Sequence, residues 1–216
     1  MVRRRWCHCR NQMPDAAVNI LGCTVNHTMT YSNERLRRKF LAAALLACLA
    51  GTAAAAEAWP EIPDGAIVLF RHANAPGVGD PPGHRIGECS TQRNLDDTGR
   101  EQARRIGQTF RARNVPVRRV LSSQWCRTRE TAQLAFPGLV RDEPLFNSFF
   151  EDRSSAPTQT AAALALLKRW RGPGVLVVST HQINITALTG ATVASGEGVV
   201  VRVGEKGLDV MGRLPP

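Results

Sequence analysis

Lysine is almost missing from this chain. Of 216 residues only Lys39, Lys168 and Lys206 are lysines, so arginine carries the positive charge. Tyrosine occurs once, at Tyr31, and aromatic residues make up 6% of the chain. So few rings argue against a platform that stacks nucleic-acid bases. No apolar run reaches the roughly 20 residues that a membrane-spanning helix needs, so no stable span is expected. No internal repeat and no long linker interrupts the sequence, which excludes solenoids and repeat arrays. What remains is enough for one ordinary domain with a sizeable core. The 43% hydrophobic and 21% charged residues fit a soluble globular protein.

The net charge of +10 is unevenly placed. Residues 1–58 hold eight Lys or Arg against three acids, which leaves 20 against 15 in residues 59–216. A modest positive field of that kind draws anionic substrates. Nucleic acid is the competing partner, but the Arg-rich stretch 100–119 falls on the outer face of one expected helix, where a solvated face is the simpler explanation.

The first 58 residues read as processing signals. Residues 35–40 are Arg-Leu-Arg-Arg-Lys-Phe, an uncharged apolar run follows from Leu41 to Ala50, and Ala53–Ala56 are all small. A basic segment, a short apolar segment and an Ala-rich exit make a secretory leader, cleaved after Ala56 or Ala58. The leader is placed at 29–58, with Met29 as the natural start and residues 1–28 as a non-native or disordered extension. Cys7, His8, Cys9, Cys23 and His27 match no common zinc spacing, so no metal is expected. Leu45-Leu46-Ala47-Cys48 loosely resembles a lipoprotein box, which keeps lipid anchoring at Cys48 as a minor alternative to a periplasmic or secreted protein. Only Cys89 and Cys126 remain beyond the leader, and an even count in an exported chain points to a disulfide, with two unpaired thiols as the alternative.

Along residues 59–216 strand and helix alternate. Ala66–Phe70 and Val175–Val178 are continuous apolar runs, as in strands buried on both faces. Val117–Leu121 is a further strand, and 199–203 and 208–211 are weaker ones around the turn Gly204–Gly207. Helices are expected from Asp97-Thr98, with Ala103, Ile106, Gly107 and Phe110 as the inner stripe, over 127–135, and over 158–170 with Thr158 as cap. The alternation predicts a three-layer α/β sandwich with a largely parallel sheet.

In such sheets ligands bind beyond the carboxyl ends of the strands. The first strand ends in Arg71-His72 and the 175–178 strand runs into Ser179-Thr180-His181. The strand at 117–121 is followed by Ser122-Ser123, with Arg127 starting the next helix. Two Arg and two His therefore converge on one spot. Guanidinium forks match phosphate oxygens, and a neutral imidazole can attack phosphorus.

These segments carry a resemblance. Arg71-His72-Ala73 after a buried strand is similar to the signature of the histidine phosphatase superfamily, the phosphoglycerate mutase-like proteins of branch 1. Asn94-Leu95 with Gly99-Arg100 and Gln102-Ala103, then Ser122-Ser123 with Arg127 and Thr131-Ala132, then Thr180-His181 with a helix from Gln182 to Leu188, follow in that family's order. The resemblance covers about residues 66–190. It implies that His72 accepts the phosphoryl group, while Arg71, Arg127 and His181 hold its oxygens and stabilise the developing charge. It implies no metal and no other cofactor, because cationic side chains do the neutralising.

The proton donor departs from the family pattern. Its usual acid would fall near Asn147 or Ser148, which cannot serve, so Glu151 is the expected donor and Asp152 the alternative. The long loop 73–95, rich in Gly and Pro, is expected to wall the substrate site or to be a structural flap. The implied activity is hydrolysis of phosphate monoesters in the cell envelope, on a phosphorylated small molecule or glycan. A phosphomutase and a non-catalytic phosphate-binding module are the alternatives.

Overall fold

A computed structural model describes residues 59–216 of the chain. The extension 1–28, the leader 29–58, the cysteines and histidines at 7–27 and Cys48 lie outside the described residues. Strand β1 (Ile67–Arg71) leads into the long loop. Helix α1 (Asp97–Ala112), β2 (Val117–Ser122), α2 (Cys126–Ala135) and β3 (Val140–Asp142) follow. The chain continues through α3 (Ala156–Leu167), β4 (Val175–Thr180) and α4 (Gln182–Thr189), then β5 (Gly198–Val203) and β6 (Leu208–Leu214).

The sheet order is β3-β2-β4-β1-β5-β6. β1, β2, β3 and β4 pair in parallel, while β5 and β6 run antiparallel along one edge. The expected α/β sandwich with a largely parallel sheet is the fold observed. Successive side chains of a strand point to opposite faces, and the core divides accordingly. Val68, Phe70, Val120, Val175 and Val177 pack on Ile106 and Phe110 of α1 and on Ala132 and Ala135 of α2. Ile67, Leu69, Leu121, Leu176 and Val178 pack on Phe146, on Ala163 and Leu167 of α3, and on Ile185 of α4. Both faces of the central strands are thus covered, which is why β1 and β4 read as unbroken apolar runs.

Helix α1 starts where Asp96 caps it, its carboxylate accepting from the Gly99 N–H at 2.7 Å. Gly99 is required by proximity, since a Cβ there would stand 2.0 Å from the Asn74 carbonyl oxygen. That close approach seats the helix against the segment leaving β1, two residues after His72.

Three expectations change at the edges. The third helix begins at Ala156, not Thr158, because a 3-10 turn over Arg153–Ser155 feeds directly into it. Thr158 lies inside its first turn, and Ser155 stands at the cap without a side-chain bond. The helix also ends at Leu167, short of Trp170. Strand β3 was not anticipated, for it is three residues long and two of them are exposed. No helix among the described residues is long and apolar enough to cross a membrane.

Candidate active site

The parallel ladder between β1 and β4 sets the site. Arg71 is paired with Thr180, and the His72 N–H donates to the Thr180 carbonyl at 2.9 Å. His72 and His181 therefore leave neighbouring strands at the same level, with ring centroids 5.6 Å apart. Both are buried. β2 ends one strand further along, where the Ser123 N–H donates to the Ser179 carbonyl at 3.0 Å. Arg127 then sits in the first turn of α2 and is also buried. The structure thus brings Arg71, His72, Arg127 and His181 to one cleft of about 840 Å³ at the carboxyl edge of the sheet.

The hydrogen bonds fix the state of the first imidazole. His72 Nδ1 lies 2.8 Å from the Ala73 carbonyl oxygen. A carbonyl can only accept, so the proton resides on Nδ1 and the lone pair on Nε2. Burial, and then the positive charge of Arg127, push the His72 pKa down to about 3. The ring is neutral and nucleophilic at any physiological pH. His181 is likewise held well below its usual range, by burial first and then by Arg127 and His72. Its Nε2 is hydrogen-bonded to Ser123 Oγ at 2.8 Å.

The guanidiniums are braced from behind. Arg71 Nη1 donates to the Val193 carbonyl at 3.2 Å, and Arg127 Nη1 donates to the Asp80 carboxylate at 2.8 Å. The Nε atoms of both are buried and have no protein acceptor. Donors left this way, beside two neutral imidazoles, suit a bound oxyanion. Two loop residues complete the cluster in a manner the sequence alone did not reveal. Arg93 turns inward, with Nε donating to the Gly79 carbonyl at 2.7 Å and Nη1 bonded to the Ala75 carbonyl. Asp80 accepts from the Arg93 N–H at 3.0 Å and from Trp125 Nε1 at 3.0 Å as well as from Arg127. Asp80 and Arg93 sit in a Gly/Pro-rich loop without periodicity, so no pattern could say which of its side chains fold inward.

The loop is the wall of the cleft, and Cys89–Cys126 is a disulfide that ties it to the first residue of α2. Cys126 is the neighbour of Arg127, so the bridge and the Asp80 ion pair hold the loop to the same helical turn.

Glu151 and Asp152 both line the cleft. Glu151 Oε1 accepts from the Asp80 N–H at 3.2 Å, and Oε2 lies 3.7 Å from His84 Nδ1. Asp152 instead spends one oxygen on the Ser154 N–H at 2.9 Å, as the cap of the 3-10 turn. Asn147, which stands near the position of the family's usual acid, is structural. Its Oδ1 accepts from the Gln124 N–H at 2.8 Å and from Ser123 Oγ at 3.3 Å, which fixes the turn that meets His181.

Among the described residues, Asp80, His84 and Glu151 could bring one ligand atom each within 4.8 Å of one another. Asp80 already accepts from three N–H groups and lies against Arg127, so the local field opposes a cation there.

Residues 67–144 match the sequence profile of the histidine phosphatase superfamily (branch 1). The match supports phosphatase chemistry in general. No curated protein matches the chain significantly. Among solved structures, a protein from Thermus thermophilus superposes with a TM-score of 0.51 at 17% identity, over 70% of this chain and 99% of its own. A protein assigned as an α-ribazole-5′-P phosphatase, from Escherichia coli, gives 0.50 at 18%, over 67% and 94%. One assigned as the phosphohistidine phosphatase SixA, from Nakamurella, gives 0.50 at 20%, over 73% and 99%. At these identities the likeness is one of fold.

Proposed function

We propose that this chain, assigned over residues 67–144 to the histidine phosphatase superfamily (branch 1), hydrolyses phosphate monoesters through a phosphohistidine on His72. The observation that carries the reading is the His72 Nδ1 bond to the Ala73 carbonyl, which leaves Nε2 free inside an arginine-lined cleft.

The substrate phosphoryl group sits against Arg71, Arg127 and His181. His72 Nε2 attacks phosphorus, a P–N bond forms and the P–O bond to the alcohol breaks. Glu151 acts as the general acid and delivers a proton to the departing oxygen. Water then attacks the phosphohistidine, its proton passing to the Glu151 carboxylate, and the P–N bond breaks. Inorganic phosphate leaves and both residues return to their starting states. The guanidiniums stabilise the charge spread over the equatorial oxygens, joined by His181 Nδ1–H when the Ser123 hydroxyl turns to donate to Nε2. Positioning and electrostatics thus supply most of the acceleration. The superfamily match and the likeness in fold to proteins assigned as phosphatases support hydrolysis.

Rapid acid or base quench after mixing with a radiolabelled phosphate ester tests this. The expected result is base-stable, acid-labile label on the peptide containing His72, and none in His72→Ala. Phosphate release that persists in His72→Ala overturns the assignment.

The compartment is part of the proposal. The basic segment 35–40, the apolar run 41–50 and the Ala-rich exit support export, and a disulfide suits an oxidising compartment. A reporter active only after export should work when fused behind residues 29–58; activity without them contradicts export by this leader.

A further inference from the structure

The cleft has a charged floor, and its mouth carries apolar side chains next to the exposed Glu151, Asp152 and Arg153. Two exposed hydrophobic side chains stand at that mouth, Val78 at 88% exposure and Phe150 at 47%. They come from two different loops that are fastened to each other. The Asp80 N–H donates to Glu151 Oε1 at 3.2 Å, and a Cβ on Gly79 would lie 3.9 Å from that same oxygen.

Val78 is held out by the backbone on either side of it. It lies between Gly77 and Gly79, whose φ angles of 95° and 71° belong to the region that favours glycine. The tip is braced from behind by Arg93, through the Gly79 and Ala75 carbonyls. A valine held almost wholly in water on a fixed tip gains nothing from the fold. It gains on covering, at about 25 cal/mol for each Å² of apolar surface removed from water.

Behind these two residues the wall continues with Trp125 and Phe149, both buried. Several polar side chains of the lining are already engaged within the protein, whereas Arg153 and Ser155 on its rim have no side-chain partner among the described residues. Gln182 Nε2 donates to Thr186 Oγ1 at 2.6 Å, and its Oε1 accepts from the Val193 N–H at 2.8 Å. Thr186 Oγ1 donates to the Ala191 carbonyl at 3.0 Å, and Ser148 Oγ accepts from the Phe150 N–H at 3.2 Å. A sugar seated between Val78 and Phe150 would press hydroxyls on apolar side chains, at a cost in desolvation.

We infer that the substrate is the phosphate monoester of an aliphatic alcohol, its phosphate on the arginine floor and its hydrocarbon chain between Val78 and Phe150. The inference rests on the phosphatase reading and deepens it. Of the two substrate classes expected from the sequence, a phosphorylated small molecule and a glycan, it favours the first.

The test compares kcat/KM of the protein on ethyl phosphate, hexyl phosphate and glucose 6-phosphate, all below any micelle-forming concentration. Burying a methylene fully gives about 0.8 kcal/mol, close to fourfold, so partial cover of four extra methylenes should favour hexyl over ethyl phosphate by at least about tenfold. Hexyl phosphate should exceed glucose 6-phosphate by a similar margin. In Val78→Ser and in Phe150→Ser the hexyl-to-ethyl ratio should fall about threefold or more, and both exposed sites tolerate the change in folding. Equal kcat/KM for the two alkyl esters, a preference for the sugar phosphate, or a ratio unmoved in both variants overturns the inference while the phosphatase reading stands. Absence of phosphate release from every ester overturns both together.

Discussion

Asp80 and Arg127 form an ion pair 2.8 Å long whose two side chains are only 3% and 4% exposed. One comes from the long loop and the other from the first turn of α2. The pair uses Nη1 of the guanidinium and leaves Nε without a protein acceptor. Asp80 therefore aims Arg127, and in the proposed reaction it is a positioning residue.

Asp80→Ala leaves a buried guanidinium unpaired, and breaking such a pair costs about 3–5 kcal/mol. A large fall in melting temperature is expected by calorimetry. Asp80→Asn keeps an acceptor for Arg127 and should fold, yet lose roughly tenfold in kcat/KM as the guanidinium's aim loosens. Asparagine with wild-type kinetics would reduce the pair to a stability feature.

Glu151 and Asp152 are separable by leaving group. An alkoxide needs a proton as it departs, whereas 4-nitrophenolate does not. Glu151→Gln should lower kcat on an alkyl phosphate by about 100-fold or more and on 4-nitrophenyl phosphate far less. Asp152→Asn keeps the cap on the Ser154 N–H and should show no such split between the two esters. The reverse pattern would move the acid role to Asp152.

The disulfide closes a loop of 37 residues, for which the chain-entropy account gives about 3–4 kcal/mol. Cys89→Ser should lower the melting temperature. Because Cys126 adjoins Arg127, it should also lower turnover on a small ester. Kinetics untouched by the change would confine the bridge to stability.

Acid should unfold the protein earlier than an ordinary domain of this size. The folded-state pKa of His72 is about 3 against about 6.5 unfolded, and His181 is displaced in the same direction. Between those values the unfolded chain binds the extra protons, so stability declines as pH falls, by up to about 1.4 kcal/mol per pH unit for each such group. Asp80 adds to this at lower pH. Burial alone would raise its carboxyl, but the bonds from Arg127, the Arg93 N–H and Trp125 outweigh burial and hold it low. That contribution is present above about pH 3.9 and is lost as pH drops further. Urea midpoints measured from pH 7 to pH 4 should fall, and less steeply in His72→Gln. Equal slopes in the two proteins would contradict the buried neutral state of His72.

The sequence showed the parts of this fold that obey a period or a boundary. β1 and β4 stand out because both their faces are covered. The rule that ligands meet strand ends then located His72, His181 and Arg127 without any coordinates. It could not find β3, whose pairing with β2 owes little to its own side chains. It placed the start of α3 two residues late, since Pro157 reads as an entry signal although the turn before it is already helical. Asp80, Arg93 and Val78 were legible as loop residues only. Their directions depend on contacts with Arg127, Trp125 and Glu151, which are far away in sequence.

The backbone bond from His72 to Thr180 has one more consequence. It extends the central ladder of the sheet, whose amides should be the slowest to exchange with solvent among the described residues, while the 148–152 loop at the mouth is held by exposed bonds. Breathing of that loop can admit and release a ligand without disturbing the two imidazoles or the braced Val78 tip. On the proposed mechanism the reacting groups belong to the last unit to open, and Phe150 to the first. Changes in the loops should then redirect what the cleft accepts, at little risk to the pair of histidines beneath.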